Sequence, residues 1–474
     1  MPIPLTHPIY QIVGQAADAL GIRAYAVGGV VRDFFLQRPC TDIDFVCLGS
    51  GIDLATEAAR RAKGSTEVHV FRNFGTASFR YPYKGQDWEI EFVGARKESY
   101  HFESRKPVVT DGTLEDDQNR RDFTINAMAV SVNADTFGEL IDPFGGIQDL
   151  NKGIIRTPLE PDITFSDDPL RMMRAIRFAS QLGFSIDPIT FESICREAAR
   201  IKIVSSERIA IELNKILLSP EPSVGFRLLM DSGLLAIILP DLARMKGVES
   251  VGQRAHKDNF FHTLKVLDNL SAHSDNLWLR WAALLHDIGK PATKRYDERV
   301  GWTFHGHEAK GAHMVKRIFS SLKLPLDAKM KYVEKMVMLH MRPIVLAEDI
   351  VTDSAVRRLL FEAGDDIDDL MTLCEADITS RNEAKVKKHL ANFQLVRHKL
   401  KELEEKDHIR NFQPPISGED IMATFGLHPC REIGTIKDAI KDAILDGIIP
   451  NEREAAYQMM LQEAAKLGLK PVAQ

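Results

Sequence analysis

The sequence predicts an α+β protein, in which an N-terminal mixed α/β head is followed by all-α domains. Short runs with the two-residue alternation of β-strands occur in the first part of the chain, at residues 24–48 and 65–93. From about residue 166 onward the apolar residues recur mostly at helical spacing. The chain has 474 residues, too many for one hydrophobic core, so we expect three or four domains.

Changes in pattern along the chain give approximate domain limits. We expect a head over residues 1–150 and a helical neck over 151–245. A linker-like stretch at 240–256 then leads to a second helical domain over 246–385, and the helical tail covers 386–474.

Composition limits the class of protein. The net charge of −6 argues against a generally basic nucleic-acid coat, although a local basic groove would still suffice to bind RNA. Five scattered cysteines without a Cys-x-x-Cys pair indicate reduced thiols. We find neither a run of about 18 apolar residues nor a signal peptide. We therefore expect a cytoplasmic protein with no membrane partner.

The segment AYAVGGVVRDFFLQRPCTDIDFVCL, residues 24–48, carries the first functional pattern. A buried strand leads into Gly28 and Gly29, where the backbone can approach a ligand, and a helix follows whose free N–H groups can face phosphate. Arg32 lies one turn into that helix. This strand–turn–helix predicts a nucleotide site.

An acidic strand completes the pattern. In TDIDFV, the two-residue period places Asp42 and Asp44 on one face and the apolar residues on the other. An amphipathic strand with a solvated acidic face is the simpler interpretation of two such residues alone. Beside a glycine pair and an arginine, however, two adjacent carboxylates favour a bound Mg²⁺. Glu89 and Glu91 repeat the spacing, and we favour Glu91 as a third carboxylate, with a solvent-facing strand as the alternative.

Residues 95–118 are polar, mixed in charge and without a clear period, which predicts a mobile loop.

A second pattern begins near residue 166, in SDDPLRMMRAIRFASQLGF. Asp168, Arg171 and Arg174 recur every three residues, which predicts one helix face, with Arg177 at its edge. Weak surface ion pairs are the ordinary explanation. Alternatively, an acceptor-only Asp and a donor-only Arg match the amino group and ring nitrogen that cytosine and adenine share, and reject the carbonyl of guanine and uracil.

A third pattern consists of histidines and carboxylates in helical segments, LLHDIGK being the clearest. Such ligands from several helices can hold one or two transition metals or Mg²⁺. A single histidine of this kind is more often a hydrogen-bonded core residue, but six candidates make that explanation weaker. The six are His262, His286, Asp287, His307, His340 and Asp377.

The motif GGVVRDFFL followed by TDIDF resembles the head of DNA polymerase β-like nucleotidyltransferases, within the class II branch of tRNA CCA-adding enzymes and bacterial poly(A) polymerases. RRDFTINAMAV, from Arg120, is similar to the second motif of this family. That resemblance implies a triphosphate contact for Arg121 and leaves Asp122 as another possible third carboxylate. An ion pair of Arg120 and Arg121 with Asp122 is the structural alternative.

The resemblance extends along the chain. It implies that Asp168 and Arg171 act as a protein template for the base, with Arg174 and Arg177 nearby; Asp167 stands where the family often has Glu. SSERIAIELNKIL, residues 205–217, is similar to a later helical motif, for which we expect Ser206 as N-cap.

Residues 246–385 resemble the HD phosphohydrolase domain, whose third metal position falls on His307, with His305 and His313 as competitors. The tail resembles the part of CCA-adding enzymes that meets the tRNA elbow.

Together these motifs imply an enzyme that adds CCA to tRNA 3′ ends from CTP and ATP by two-metal chemistry with Mg²⁺, with a possible HD phosphohydrolase activity. A poly(A) polymerase and a CC-only or A-only enzyme remain alternatives. A metal-dependent phosphohydrolase with an RNA-binding head is the alternative from another class. The sequence leaves the oligomeric state open.

Overall fold

The computed structural model describes residues 3–72, 75–101, 104–248, 250–251, 254–255, 258–348, 352–380, 382–407, 410 and 412–472. The chain forms two compact units, residues 1–240 and 241–474. The predicted head and neck therefore share one unit, and the predicted second helical domain and tail share the other.

The strands are short and fall mostly in the first unit. They are β1 (Ala24–Val27), β2 (Asp42–Cys47), β3 (His69–Phe71), β4 (Thr76–Tyr83), β5 (Gln86–Gly94), β6 (Arg96–His101), β7 (Ser104–Asp111), β8 (Ala129–Ser131), β9 (Leu140–Ile141), β10 (Ile154–Ile155), β11 (Ser185–Ile186), β12 (Ser250–Val251), β13 (Arg254–Ala255), β14 (Arg295–Asp297) and β15 (Gly301–Thr303).

The α-helices occupy most of the rest of the chain. They are α1 (Pro8–Leu20), α2 (Gly29–Phe35), α3 (Gly51–Arg61), α4 (Leu114–Asn119), α5 (Gly146–Lys152), α6 (Pro161–Asp167), α7 (Leu170–Leu182), α8 (Pro188–Glu197), α9 (Ser206–Leu217), α10 (Pro222–Asp231), α11 (Leu234–Ile238), α12 (Pro240–Ala243), α13 (Asn259–Ser271), α14 (Leu277–Leu285), α15 (Lys290–Thr293), α16 (His307–Ser321), α17 (Ala328–Leu339), α18 (Met341–Glu348), α19 (Asp353–Ala363), α20 (Ile367–Ala376), α21 (Glu383–Asp407), α22 (Gly418–Phe425), α23 (Arg431–Leu445) and α24 (Arg453–Lys466). This arrangement confirms the predicted class of a mixed head followed by helices.

The head is built on a seven-stranded sheet of order β3-β4-β5-β2-β1-β8-β9. Its pairs are antiparallel except β2 with β5, which run parallel. The apolar face of β2 carries Phe45, which is fully buried and stacks on Phe92 of β5 at 5.5 Å between ring centroids. Helix α1 covers this face, with Tyr10 edge-on to Phe45. The alternation in β2 thus turns Asp42 and Asp44 to the opposite face, as predicted.

The predicted mobile loop at residues 95–118 is wrong in its main part. Residues Arg96–His101 and Ser104–Asp111 form an antiparallel hairpin, β6 with β7, and α4 follows it with a capping box at Thr113. Strand pairing satisfies the backbone groups here, and the mixed polar sequence does not show this as a period.

The neck corrects two further expectations. Asp168 does not lie on the helix of Arg171: it is an extended residue (φ −137°, ψ 97°) that ends α6, and Pro169 precedes α7. The proline explains this, because its ring disfavours a helical conformation in the residue before it. The cap of α9 is Ser205 instead of Ser206, which is the first helical residue.

The second unit is helical apart from two short hairpins, β12–β13 and β14–β15. A core of aromatic and aliphatic side chains, including the fully buried Trp281 and Phe319, packs α14 against α16. Among the described helices, none is long and apolar enough to cross a lipid bilayer.

Candidate functional site

Three carboxylates predicted to hold a metal lie on two adjacent strands of the head. In the parallel pair β2–β5, Asp42 is the register partner of Glu89, and Asp44 is the partner of Glu91. Burial, followed by the nearby Asp44, raises the pKa of Glu91. Burial and the carboxylates of Asp42 and Glu89 likewise raise the pKa of Asp44, although Arg121 opposes this. Mutually repelling carboxylates of this kind fit a hard divalent cation.

The glycine turn meets the same carboxylates. Gly28 has a φ of +74°, and a Cβ on it would lie 3.2 Å from Arg121 Nη1 and 3.7 Å from Asp44 Oδ2. A side chain at this position would therefore stand between Arg121 and Asp44. Gly29 begins α2, and its added Cβ would lie 3.6 Å from Arg32 Nη2.

One buried acid, Asp117, holds both arginines of the second motif. Asp117 is fully buried, and its Oδ2 accepts from Arg121 Nη2 at 2.8 Å, while its Oδ1 accepts from Arg120. The predicted alternative, an ion pair of these two arginines with Asp122, therefore names the wrong acid. The role of Asp117 was not predicted, because this residue lies in the segment that was predicted to be a loop.

Asp122 has other partners. Its Oδ2 accepts from Arg174 Nε at 2.7 Å, and its Oδ1 accepts from Asn126 Nδ2 at 3.1 Å. Despite burial, these partners lower the pKa of Asp122 to about 2. A carboxylate already compensated by a guanidinium and an amide is a poorer metal ligand than Glu91, whose pKa is raised by burial and by the neighbouring acids.

The two residues predicted to choose the base lie at the start of α7, where the backbone N–H of Arg171 donates to the backbone carbonyl of Asp168 at 2.9 Å. Asp168 Oδ1 accepts from the backbone N–H of Leu170 at 3.2 Å, and its Oδ2 lies 3.9 Å from Arg208. The Arg171 guanidinium donates to the backbone carbonyl of Arg120 at 2.5 Å. The hydrogen bond from Leu170 fixes the Asp168 carboxylate at the head of the helix, and the one from the Arg171 guanidinium joins that helix to the second motif.

The predicted histidine cluster is assembled by helices of the second unit. His262 lies on α13, His286 and Asp287 follow α14, His307 begins α16, His340 follows α17 and Asp377 follows α20. His262 Nε2 lies 2.9 Å from Asp377 Oδ1, and His307 Nε2 lies 3.3 Å from both His340 Nε2 and Asp287 Oδ1. The competitors of His307 are placed differently, because His305 and His313 are exposed.

Backbone carbonyls fix the orientation of three of these rings. The Nδ1 atoms of His286, His307 and His340 lie 2.7, 2.9 and 2.7 Å from the carbonyl three residues earlier. Each Nδ1 must then donate, which leaves the Nε2 atoms of His307 and His340 facing one another and turns Nε2 of His286 toward the carboxylates of Asp287 and Asp377. Such orientation by a second hydrogen bond is typical of histidines that ligate a metal.

Charge supports the same interpretation. Although burial opposes it, Asp287 and Asp377 raise the pKa of His286 to about 10, and His262 and His286 hold the pKa of Asp377 well below its usual range. Among the described residues, two triads bring their ligand atoms within 4.8 Å: His262–His286–Asp287 and Asp287–His307–His340. Asp42, Asp44 and Glu91 do not form such a triad in the described part of the chain.

Comparisons with known proteins follow the same division of the chain. Residues 24–156 match the family model of the poly A polymerase head domain, and residues 183–246 match that of a probable RNA and SrmB binding site of polymerase A. Residues 259–382 match the HD domain.

Individual relatives are similar over most of their length. An A-adding tRNA nucleotidyltransferase of Deinococcus radiodurans is 34% identical over 362 residues, which cover 74% of this chain and 80% of that relative. A multifunctional CCA protein of Pseudomonas fluorescens is 34% identical over 321 residues, covering 65% of this chain and 72% of that relative.

A solved structure has the same fold. The CCA-adding enzyme of Bacillus stearothermophilus in complex with CTP aligns with a TM-score of 0.66 at 24% identity, covering 98% of this chain and 99% of that one.

Proposed function

Because the chain belongs to the family of tRNA nucleotidyltransferases and bacterial poly(A) polymerases, we propose that it adds C, C and A to tRNA 3′ ends from CTP and ATP. One observation carries this proposal: Asp44 lies beside Glu91 on one side and beside Gly28 and Arg121 on the other. The acids suited to a metal and the cationic, side-chain-free turn suited to phosphate thus lie together at the central strands of the sheet. We propose a cytoplasmic location, where these substrates occur together.

The head supplies the chemistry of nucleotidyl transfer. Asp42, Asp44 and Glu91 would hold Mg²⁺, which when bound helps to deprotonate the 3′-hydroxyl and neutralises charge on the pyrophosphate. The backbone at Gly28 and Gly29 admits the triphosphate without a steric clash. Arg32 and Arg121 bind its oxygens, because a guanidinium presents paired donors to phosphate.

The neck selects the base. The Asp168 carboxylate accepts from the exocyclic amino group that cytosine and adenine share, and Arg171 donates to the adjacent ring nitrogen. Guanine and uracil present an oxygen where the amino group would be, so Asp168 repels them. Arg174 and Arg177 complete the nucleotide site from the same helix.

One assay separates this function from its neighbours. Purified protein is incubated with Mg²⁺, CTP, ATP and three tRNAs that end before CCA, after the first C, or after CC. A CCA-adding enzyme completes all three. An A-adding enzyme, the activity named for the Deinococcus relative, extends only the last, and a poly(A) polymerase gives a ladder of adenylates. No extension of any tRNA would refute the proposal.

A substitution tests base selection. Asp168→Ala is expected to let GTP and UTP be incorporated, reducing the preference for CTP by about 10- to 100-fold, since discrimination by such pairs is worth roughly 1–3 kcal/mol. The matched control is Asp167→Ala, which removes the neighbouring carboxylate. Equal selectivity of both variants would contradict the assignment.

We also propose that the HD cluster binds one or two divalent ions, either a transition metal or Mg²⁺, through His262, His286, Asp287, His307, His340 and Asp377. The facing Nε2 atoms of His307 and His340 support this, because two lone pairs 3.3 Å apart repel unless a proton or a metal lies between them. Bound metal would supply an activated water for phosphoester hydrolysis. Opening of 2′,3′-cyclic nucleotides to nucleoside monophosphates tests a phosphodiesterase activity, and release of inorganic phosphate from phosphomonoesters tests a phosphatase activity.

A further inference from the structure

Asn126 is a buried amide that joins several functional side chains. It ends a 3₁₀ turn over Thr124–Asn126 and is only 6% exposed. Its Oδ1 accepts from Arg32 Nη1 at 2.8 Å, and its Nδ2 donates to Asp122 Oδ1 at 3.1 Å. Its backbone carbonyl lies 3.5 Å from Arg121 Nη1. One residue thus contacts both arginines proposed to bind the triphosphate.

Asp122 continues this connection into the neck. The carboxylate oxygen that does not face Asn126 accepts from Arg174 Nε at 2.7 Å and from Arg174 Nη2 at 2.6 Å. A chain of hydrogen bonds therefore runs from Arg32 through Asn126 and Asp122 to Arg174. It begins on α2, beside the glycine turn, and ends on α7, which also carries Arg171.

Phe178 of α7 supports the same arginines. Its ring centroid lies 5.0 Å from Cζ of Arg32, 5.5 Å from that of Arg174 and 4.0 Å from that of Arg177. The side chain is 5% exposed, and Phe123 packs edge-on against it. A guanidinium is attracted to an aromatic face at these distances, and the attraction strengthens when the contact is shielded from water.

Each guanidinium around the ring also has its own acid. Arg32 pairs with Asp33 at 2.9 Å, Arg174 with Asp122 and Arg177 with Glu212 at 2.8 Å. Three like charges can therefore approach one ring without an uncompensated repulsion. The arrangement fixes the mutual placement of one arginine from the head and two from the neck.

We propose that Asn126 and Phe178 are positioning residues that couple the triphosphate-binding Arg32 to the base-reading helix α7. The proposal rests on the function proposed above. The triphosphate and the base are then positioned together. A nucleotide whose base does not fit Asp168 and Arg171 also loses the alignment of its triphosphate. Fidelity is thereby transmitted to the reacting phosphorus by two side chains that need not touch the nucleotide.

The test is a double-substitution cycle with Phe178→Leu and Asp168→Ala. Leucine keeps an apolar side chain but removes the aromatic face, so we expect the KM for CTP and ATP to rise on the order of tenfold. Selectivity for CTP over UTP is then measured in both single variants and in the double variant. If the two residues are coupled, the double variant loses no more selectivity than the worse single variant.

A matched control separates positioning from packing. Phe226→Leu removes the same ring from a fully buried site on α10 of the same unit, and it is expected to leave the effect of Asp168→Ala unchanged. Thermal unfolding is recorded for every variant. If Phe178→Leu fails to fold, Asn126→Asp takes its place in the cycle, since aspartate still accepts from Arg32 but repels Asp122.

Three outcomes are distinct. Non-additive selectivity, absent from the Phe226 series, supports the proposal. If the wild-type protein adds nucleotides but the losses of selectivity in the two single variants multiply in the double variant, the proposed coupling is refuted. A wild-type protein that adds none refutes the proposed function itself.

Discussion

The chain contains two clusters of metal-binding residue types that are constructed in opposite ways. In the head, Asp42 is exposed, Asp44 is half-buried, and the acids are brought together only by strand register. In the second unit, His286, Asp287, His307 and His340 are all buried, and backbone carbonyls orient the rings. The first cluster is open to substrate, whereas the second is organised in advance.

The carboxyl pKa values of the two clusters are shifted in opposite directions. Burial and mutual repulsion raise the pKa values of Asp44 and Glu91, because the head acids face mainly one another. In the second cluster, histidines lower the pKa values of Asp287 and Asp377 in spite of burial. Mg²⁺ commonly uses one or two carboxylates together with substrate phosphates, so the head fits an ion that arrives with the nucleotide. The histidine cluster fits an ion that stays bound.

The largest expected effect is on the head. Asp44→Asn removes the negative charge closest to both Gly28 and Glu91 and should lower nucleotide addition by about a thousandfold or more. Metal bound by the second unit should not change. Primer extension and metal analysis of the same preparation check both statements, with Asp87→Asn on β5 as a control that keeps activity. If Asp44→Asn still adds nucleotides at a substantial rate, the head acids do not hold the catalytic metal as proposed.

A smaller effect is expected from the histidine cluster. His340→Ala deletes an Nε2 that faces His307 and should weaken metal binding by roughly 10- to 100-fold, while addition of nucleotides continues. The control is His313→Ala, an exposed position on α16. Titration with Zn²⁺ or Mn²⁺ measures the affinity. Equal metal affinities of His340→Ala and His313→Ala would mean that His340 is an ordinary hydrogen-bonded core residue and not a metal ligand.

The smallest expected effect is at His7, a buried histidine of the head that has no carboxylate partner among the described residues. It lies among aromatic rings, 4.4 Å from Trp88 and 4.5 Å from Tyr83 between centroids. Burial and the nearby Lys84 lower its pKa to about 4, in contrast to His286. The neutral ring therefore stabilises the fold fully above its unfolded pKa of about 6.5, and this contribution falls as the pH drops toward 4.

The consequence is measurable as a pH-dependent difference in unfolding free energy. The glutamine of His7→Gln does not titrate. The unfolding free energy of the wild type, relative to that of this variant, should therefore fall by about 2 kcal/mol between about pH 7.5 and about pH 5. Denaturant titrations at the two pH values give this difference, and His69→Gln, exposed on β3, should show none. If the difference in unfolding free energy between the wild type and His7→Gln stays constant with pH, the pKa of His7 is not lowered by burial as described.

The sequence predicts the two clusters unequally well. Alternation in a short strand was enough to place Asp42 and Asp44 on one face, and local glycine chemistry indicated the turn beside them. The prediction that Asp168 lies on the helix of Arg171 was wrong. Pro169 already indicated that this helix begins after Asp168. Periodicity alone outweighed that local restriction in our interpretation.

Other features depend on partners distant in sequence. In the hairpin β6–β7, Arg96 is the register partner of Asp111, and the Asn126 side-chain amide accepts from Arg32, which lies 94 positions away in the sequence. No local pattern contains such contacts. The six residues of the histidine cluster were found by residue type, but the facing of His307 and His340 depends on how α16 and α17 pack.

The parallel pairing of β2 with β5 also limits the order in which the head can assemble during synthesis. Antiparallel neighbours can join through a tight turn, but parallel ones need a crossover, here the chain from Leu48 to Gly85 through α3, β3 and β4. A nascent chain that has exposed only Asp42 and Asp44 still lacks Glu91 and the whole of α7. Ribosome-bound fragments that end before α7 therefore carry the acids of β2 without the rest of the site, and the first unit can be completed only after about residue 240 has emerged.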